Sequence, residues 1–215
     1  MRFQHIIWDW NGTLLDDTQA GVNAVNAMLA ARSLPTLDVS AYRELFGFPV
    51  KDFYRTVGFR MEAEDWDAMA REFHARFLAD TTLRLHEQAR PTLTTLRQAG
   101  IGQSVLSASE QTILDTMLAD YGVARFFDNI CGVDNLYGQS KLELGHALLR
   151  RLGLPQDRVL MIGDSLHDHE VAGALGVHCL LIAQGHQSHA RLANSGAPVL
   201  RSLAEVPAWL LAAAG

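Results

Sequence analysis

In this chain of 215 residues, short apolar runs stop at clusters of acidic and hydroxyl residues, which is where side chains able to do chemistry become available. His5-Ile6-Ile7-Trp8 is too brief for a helix and rich in β-formers, and it gives way to Asp9-Trp10-Asn11-Gly12-Thr13. A strand entering Asn-Gly must turn sharply. The Asp9 carboxylate and several backbone N–H groups are then left at the strand's C-terminal edge, either as a nucleophile site or as an ordinary turn. Val159-Leu160-Met161-Ile162 ends just as abruptly in Gly163-Asp164-Ser165-Leu166-His167-Asp168. Either acid of that cluster taken alone is explained as a helix N-terminal residue, favoured by capping and by the helix dipole. That explanation does not cover two strand patterns at opposite ends of the chain that both deliver carboxylates. Strands of one parallel sheet share a C-terminal edge, so Asp9 and Asp164 are expected to converge there, and oxygen ligands at such a point suit Mg²⁺.

Two further positions offer what an anion needs. Gln103-Ser104-Val105-Leu106-Ser107 ends in a hydroxyl ahead of Ala108-Ser109-Glu110 and a helix marked by Ile113, Met117 and Leu118. Ser107 therefore either caps that helix or, with the N–H groups after it, faces a phosphate. Lys141 follows a Gly138-Gln139-Ser140 turn and opens a helix marked by Leu144, Leu148, Leu149 and Leu152. A cation in a first helical turn opposes the dipole, which leaves two readings, a solvated surface charge or a cation placed for an anion.

Taken in order, Asp9-Trp10-Asn11-Gly12-Thr13, Ser107, Lys141 and Gly163-Asp164-Ser165-Leu166-His167-Asp168 resemble the motifs of the haloacid dehalogenase superfamily of phosphohydrolases: an Asp-x-Asp-x-Thr loop, a Ser/Thr, a Lys and a Gly-Asp-x-x-x-Asp. The likeness spans essentially the whole chain and is strongest to the phosphoglycolate phosphatase and β-phosphoglucomutase group. It implies that Asp9 is a nucleophile forming an aspartyl-phosphate, which splits one hard displacement into two easier ones. It implies that Asp9, Asp164 and the backbone carbonyl of Asn11 hold Mg²⁺, with Asp168 at the same metal site. Ser107, Ala108, Lys141, Gly12 and Thr13 would grip the phosphoryl oxygens, electrostatic stabilisation being the main demand of phosphoryl transfer.

One position departs from the pattern. Asn11 stands where hydrolytic members carry a second Asp that protonates the leaving group and then activates water, and an amide exchanges no proton at neutral pH. Considered by itself, Asn11→Asp is expected to raise hydrolysis of an unactivated ester roughly 10²–10⁴-fold. No replacement acid stands out, although His167 and His169 flank Asp168. The alternatives are a phosphomutase, a phosphonate hydrolase using a Schiff-base lysine, for which Lys51 is the one candidate in the helical segment, and a catalytically silent phosphate-binding module.

The elements that must position these residues are legible in pattern. Apolar residues recur with helical spacing at Val22, Val25, Met28 and Leu29, then through Tyr42-Leu45-Phe46, Phe53-Tyr54-Val57 and Trp66-Met69-Phe73-Phe77, with no clear strand between Thr18 and His86. From Arg90 onward helix and strand patterns alternate. The expected fold is α/β: a three-layer, doubly wound, Rossmann-like parallel-sheet core from residues 1–17 and 87–215, with a helical cap inserted at 18–86. Arg43, Lys51, Arg55 and Arg60 cluster around Phe46-Gly47-Phe48-Pro49, as a solvated helix face or as partners for a substrate carboxylate. His186 and His189 lack a Cys or carboxylate set beside them and read as surface residues.

Composition bounds the rest. A hydrophobic content of 48% supports one substantial core with a smaller insertion. The net charge of −6 argues against a nucleic-acid surface. No apolar run approaches a membrane span, and the first apolar segment is too short for a signal peptide. Cys131 and Cys179 read as reduced core residues, which fits a cytoplasmic protein. The expected partner is a small phosphorylated metabolite, acted on by a monomer or homodimer.

Overall fold

The computed structural model describes residues 2–137 and 141–212, so the expected Gly138-Gln139-Ser140 turn lies outside the described residues. Six strands form one parallel sheet: β1 (His5–Trp8), β4 (Gly102–Glu110), β5 (Asn129–Val133), β6 (Val159–Gly163), β7 (His178–Ile182) and β8 (Val199–Leu200). Their spatial order is β5-β4-β1-β6-β7-β8, with Trp8 in register with Val105 on one side and Ile162 on the other. The two remaining strands, β2 (Leu15–Asp16) and β3 (Arg84–Leu85), pair antiparallel in a small separate ribbon.

The central strands read as unbroken apolar runs because both faces of the sheet are covered. Side chains alternate between faces, so Ile6, Trp8, Leu160 and Ile162 join one core cluster and Ile7, Val159 and Met161 the other. The first cluster is closed by α5 (Ala89–Gln98), α6 (Gln111–Asp120) and α10 (Val206–Ala212), through residues such as Leu93, Leu114 and Leu210. The second is closed by α7 (Leu142–Leu152) and α8 (Leu166–Leu175), through Leu148, Val171 and Leu175. These are the three layers expected. Cys131 and Cys179 are free thiols on β5 and β7, half-buried against the second cluster.

Between β2 and β3 the chain forms α1 (Thr18–Ala31), α2 (Val39–Leu45), α3 (Val50–Thr56) and α4 (Trp66–Leu78). Their apolar faces build a third cluster from residues 22–69, with Met28, Tyr42, Phe53 and Met69 at its centre. The strand β3 corrects the expectation that Thr18 to His86 holds no strand. Two residues carry no readable period, and what fixes them is tertiary: Leu15 is buried in the first cluster, Arg84 pairs with Asp16 at 2.7 Å and His86 N–H donates to Leu14 O. A short α9 (His189–Ala193) lies between β7 and β8.

Candidate active site

Parallel topology brings the C-terminal ends of β1, β4 and β6 side by side, with β1 between the other two. Asp9 is the first residue after β1 and is tied to its neighbour by an N–H donated to Ile162 O at 2.8 Å. Asp164 is the first residue after β6, and Ser107 lies toward the end of β4. Lys141 stands immediately before α7, and its side chain is 1% exposed. Its ammonium donates to Asp9 Oδ1 and pairs with Asp168 Oδ1 at 2.7 Å, which disposes of the solvated-surface reading.

Ser165 caps α8 in a reciprocal box, Asp168 N–H donating to Ser165 Oγ at 3.3 Å and Ser165 N–H to Asp168 Oδ2 at 3.1 Å, and the Ser165 hydroxyl also donates to Asp168 Oδ2 at 2.7 Å. One Asp168 carboxylate oxygen serves the helix cap and the other faces Lys141. The N-cap of α6 is Glu110 and not Ser107, because β4 runs three residues beyond Ser107 before the helix begins. Ser107 Oγ instead accepts the N–H of Ser109 at 3.0 Å, and Ser107, Ala108 and Ser109 line the same cavity as Asp9 and Lys141.

Gly12 adopts φ +71°, and a Cβ there would fall 2.6 Å from His186 Cδ2 as well as on the Asp164 carboxylate, so only glycine fits. Its N–H donates to Asp17 Oδ1 at 2.7 Å. Thr13 N–H donates to Trp10 O, and the Thr13 hydroxyl donates to Asp164 Oδ1 at 3.4 Å. These donors are engaged by Asp17, Trp10 and Asp164, and Gly12 and Thr13 do not line the cavity that Asp9 and Lys141 line.

Oxygen atoms of Asp9, Asp164 and Asp168, all buried, lie within 4.8 Å of one another. Burial pushes the Asp9 carboxyl up to about 8, against the opposing charge of Lys141, and that of Asp164 up to about 7. For Asp168, burial acts in the same sense but is outweighed by Lys141 and Ser165, which hold it below the usual carboxylate range. Asp9 and Asp168 thus share the Lys141 ammonium while Asp164 lies beside them, and a divalent cation bound by oxygen ligands would offset the burial that disfavours charge on Asp9 and Asp164. Asp164 Oδ1 meets the Thr13 hydroxyl at a long 3.4 Å, whereas both Asp168 oxygens are held at 2.7 Å, one by Lys141 and one by Ser165. Lys141→Met should therefore destabilise the protein in chelator by about 3–5 kcal/mol, the cost of leaving buried charge unpaired. A thermal midpoint equal to that of wild type would show that the lysine is not holding these acids together.

The structure adds a layer that pattern reading missed. Asp17, 1% exposed, accepts from the Asn11 amide at 2.6 Å through Oδ2 and pairs with His186 Nε2 at 3.0 Å through Oδ1. Asn11 Oδ1 in turn accepts from the Ser109 hydroxyl at 2.6 Å. His186 was expected at the surface and is buried. Its backbone N–H donates to Asp164 Oδ2 at 2.6 Å, and its Nδ1 lies 3.1 Å from the Tyr42 hydroxyl. Burial disfavours charge on its ring, but Asp17 outweighs that by charge and hydrogen bond and raises it to about 9. The available signal was topological, since His186 follows β7 and so belongs to the edge that carries Asp9 and Asp164. His189 is exposed, as expected.

The basic residues of the helical segment are engaged elsewhere. Arg43 is part-buried and donates to Gly185 O at 2.8 Å and Gln184 O at 3.1 Å, while Arg191 donates to Arg43 O and Phe46 O, strapping α2 to the loop after β7. Lys51 sits 4.9 Å over the Trp66 ring, Arg55 pairs with Asp52, and Arg60 is exposed. His167 lines the cavity, stacked on Phe48 at 4.4 Å, with Nε2 buried and unpartnered. Burial, then Lys141, holds its ring below the usual imidazole range.

A doubly wound sheet with carboxylates at the ends of its central strands defines a class of α/β enzymes that act at the sheet's C-terminal edge. Residues 6–182 match the haloacid dehalogenase-like hydrolase family, and the chain belongs to it. It is 28% identical over 215 residues to a phosphoglycolate phosphatase of Caulobacter vibrioides, covering 94% of this chain and 88% of that protein. It is 27% identical over 186 residues to the tyrosine-protein kinase PtkA of Mycobacterium tuberculosis, covering 85% of this chain, and it spans only 63% of the length of that relative. Among solved structures, a haloacid dehalogenase-like hydrolase from Streptococcus pneumoniae superposes with TM-score 0.82 at 21% identity, covering 97% of this chain and 99% of that one. No helix among the described residues is long and apolar enough to cross a membrane.

Proposed function

We propose that this chain is a Mg²⁺-dependent phosphatase that hydrolyses a small phosphorylated metabolite through an aspartyl-phosphate on Asp9. The observation that carries the proposal is the convergence of Asp9, Asp164 and Asp168 at one sheet edge, with Lys141 paired to Asp9 and Asp168. Asp9 attacks phosphorus, the bond from phosphorus to the ester oxygen breaks, and water then cleaves the acyl phosphate. Lys141, the Ser107 hydroxyl and the backbone beside Ala108 are placed to balance charge on the phosphoryl oxygens. Asp9, Asp164 and the Asn11 carbonyl would hold Mg²⁺, with Asp168 steadying Lys141 beside them. The ion, when bound, supplies charge neutralisation for the nucleophile and the transferring group. Residues 18–86 would serve as cap over a core of 1–17 and 87–215.

The relatives named phosphoglycolate phosphatase make phosphoglycolate a first substrate to assay. The same considerations extend to a cytoplasmic monomer or homodimer with no nucleic-acid partner. A second reading, a phosphate-binding module without turnover, draws on one observation: the Asn11 amide is locked between Asp17 and Ser109. Many turnovers of phosphate release, stopped by excess EDTA and restored by Mg²⁺, are expected. Full activity in chelator with a metal-free protein would contradict the metal-dependent reading, and phosphate binding with no phosphate release would favour the module.

A further inference from the structure

The cavity that opens on Asp9 and Lys141 continues between α3, α4 and α6, and its chemistry changes along the way. Phe46, Phe48, Trp66, Phe73 and Tyr137 line it while remaining only partly buried; Phe46, Trp66 and Phe73 pack on the helical core from one side and line the cavity from the other. Ile113 and Met117 of α6 complete the wall. Its polar points are sparse: His74 Nδ1 and His167 Nε2 are buried without partners. Among the described residues, Lys141 is the one Lys or Arg that lines the cavity. Arg43 is turned to the carbonyls of Gly185 and Gln184, Arg32 is held by Glu64 and Glu72, and Arg55 by Asp52.

A leaving group that carries a carboxylate would meet no Lys or Arg among the described residues of that wall, and the one histidine there raised toward the charged form, His186, is already paired with Asp17; a charge taken from water without a partner is strongly disfavoured. An apolar ring there would leave water and meet aromatic faces in offset or edge contact. Phe48, stacked on His167 next to Asp168, marks where the two halves of the cavity meet. Resting on the phosphatase reading above, we propose that the preferred substrates are phosphomonoesters of uncharged, ring-bearing alcohols, with the phosphoryl group at Asp9 and Lys141 and the ring among Phe46, Phe48, Trp66 and Phe73.

The test uses three unactivated alkyl esters, so that leaving-group reactivity does not decide the order: 2-phenylethyl phosphate, ethyl phosphate and phosphoglycolate. With Mg²⁺, kcat/KM for 2-phenylethyl phosphate should exceed that for ethyl phosphate roughly 10–100-fold, the factor that burial of one ring supplies. Phosphoglycolate should fall below ethyl phosphate. Trp66→Ala and Phe48→Ala should each lower the phenylethyl-to-ethyl ratio about tenfold, mainly through KM. Phosphoglycolate as the best of the three, or a ratio unmoved in both variants, would overturn the inference. If no ester releases phosphate, the phosphatase reading fails, and the ring site is read from binding instead. 2-Phenylethylphosphonate should then raise the thermal midpoint more than ethylphosphonate, and equal shifts would overturn the inference on its own.

Discussion

Asp9→Asn is expected to lower turnover by more than about a hundredfold while leaving the thermal midpoint close to that of wild type. The amide keeps the size and one hydrogen-bonding oxygen of the original side chain but cannot form the acyl phosphate. Asp9→Ala should fail as completely. Stability should survive because the charge removed is one that burial and the nearby Asp168 and Asp164 disfavour. Lys141 loses a partner but keeps Asp168 at 2.7 Å, so no buried charge is stranded. Initial rates, denaturation curves and mass spectrometry for a phosphorylated Asp9 would check each part. A variant that kept more than about a hundredth of wild-type turnover would remove Asp9 from its proposed role.

The second large effect concerns Asn11, and the structure changes what is expected of it. By sequence, Asn11→Asp alone should restore a general acid/base. In the fold, a carboxylate at 11 would meet Asp17 Oδ2 where the amide now donates at 2.6 Å. Two carboxylates that close cannot both be ionised, so the single variant should gain less than about tenfold and lose stability. The exchanged pair, Asn11→Asp with Asp17→Asn, reverses the donor and the acceptor. The amide introduced at 17 donates to the carboxylate at 11, and its oxygen still accepts from Gly12 N–H and His186, the contacts Asp17 Oδ1 makes now. That double variant should recover the lost stability and raise hydrolysis of an unactivated ester roughly 10²–10⁴-fold over wild type. The gain should shrink for p-nitrophenyl phosphate, whose leaving group needs little protonation. A double-mutant cycle with no coupling in either rate or thermal midpoint would show that positions 11 and 17 act independently. Brisk turnover by the wild type, unchanged in both variants, would direct attention to another proton carrier, His167 in the cavity before His169.

Much of the site was legible because its parts announce themselves locally. A strand buried on both faces reads as an apolar run, and the first polar residue after it lies at the ligand-binding edge of a parallel sheet. That is enough to place Asp9 and Asp164 and to set three layers around them, with a helical segment inserted after the first strand. Capping chemistry also reads locally, although it offered Ser107 where the cap of α6 is Glu110, since where β4 ends depends on its pairing with β5. Lys141 could be named but not placed. A lysine in a first helical turn looks the same whether it faces water or two carboxylates, and only packing of α7 against the sheet buries it. Asp17, His186 and Arg43 were decided by the tertiary structure alone. Asp17 looks like any acid at a helix start, His186 like any loop histidine, and Arg43 like a charge on a solvated face. Asp17 and Arg43 find partners on the loop after β7, and His186, on that loop, finds its partners Asp17 and Tyr42 near the start of the chain. Local propensity and period determine which backbone a segment adopts, whereas the partner of a buried polar side chain is set by whichever distant segment the assembled layers bring within hydrogen-bonding reach.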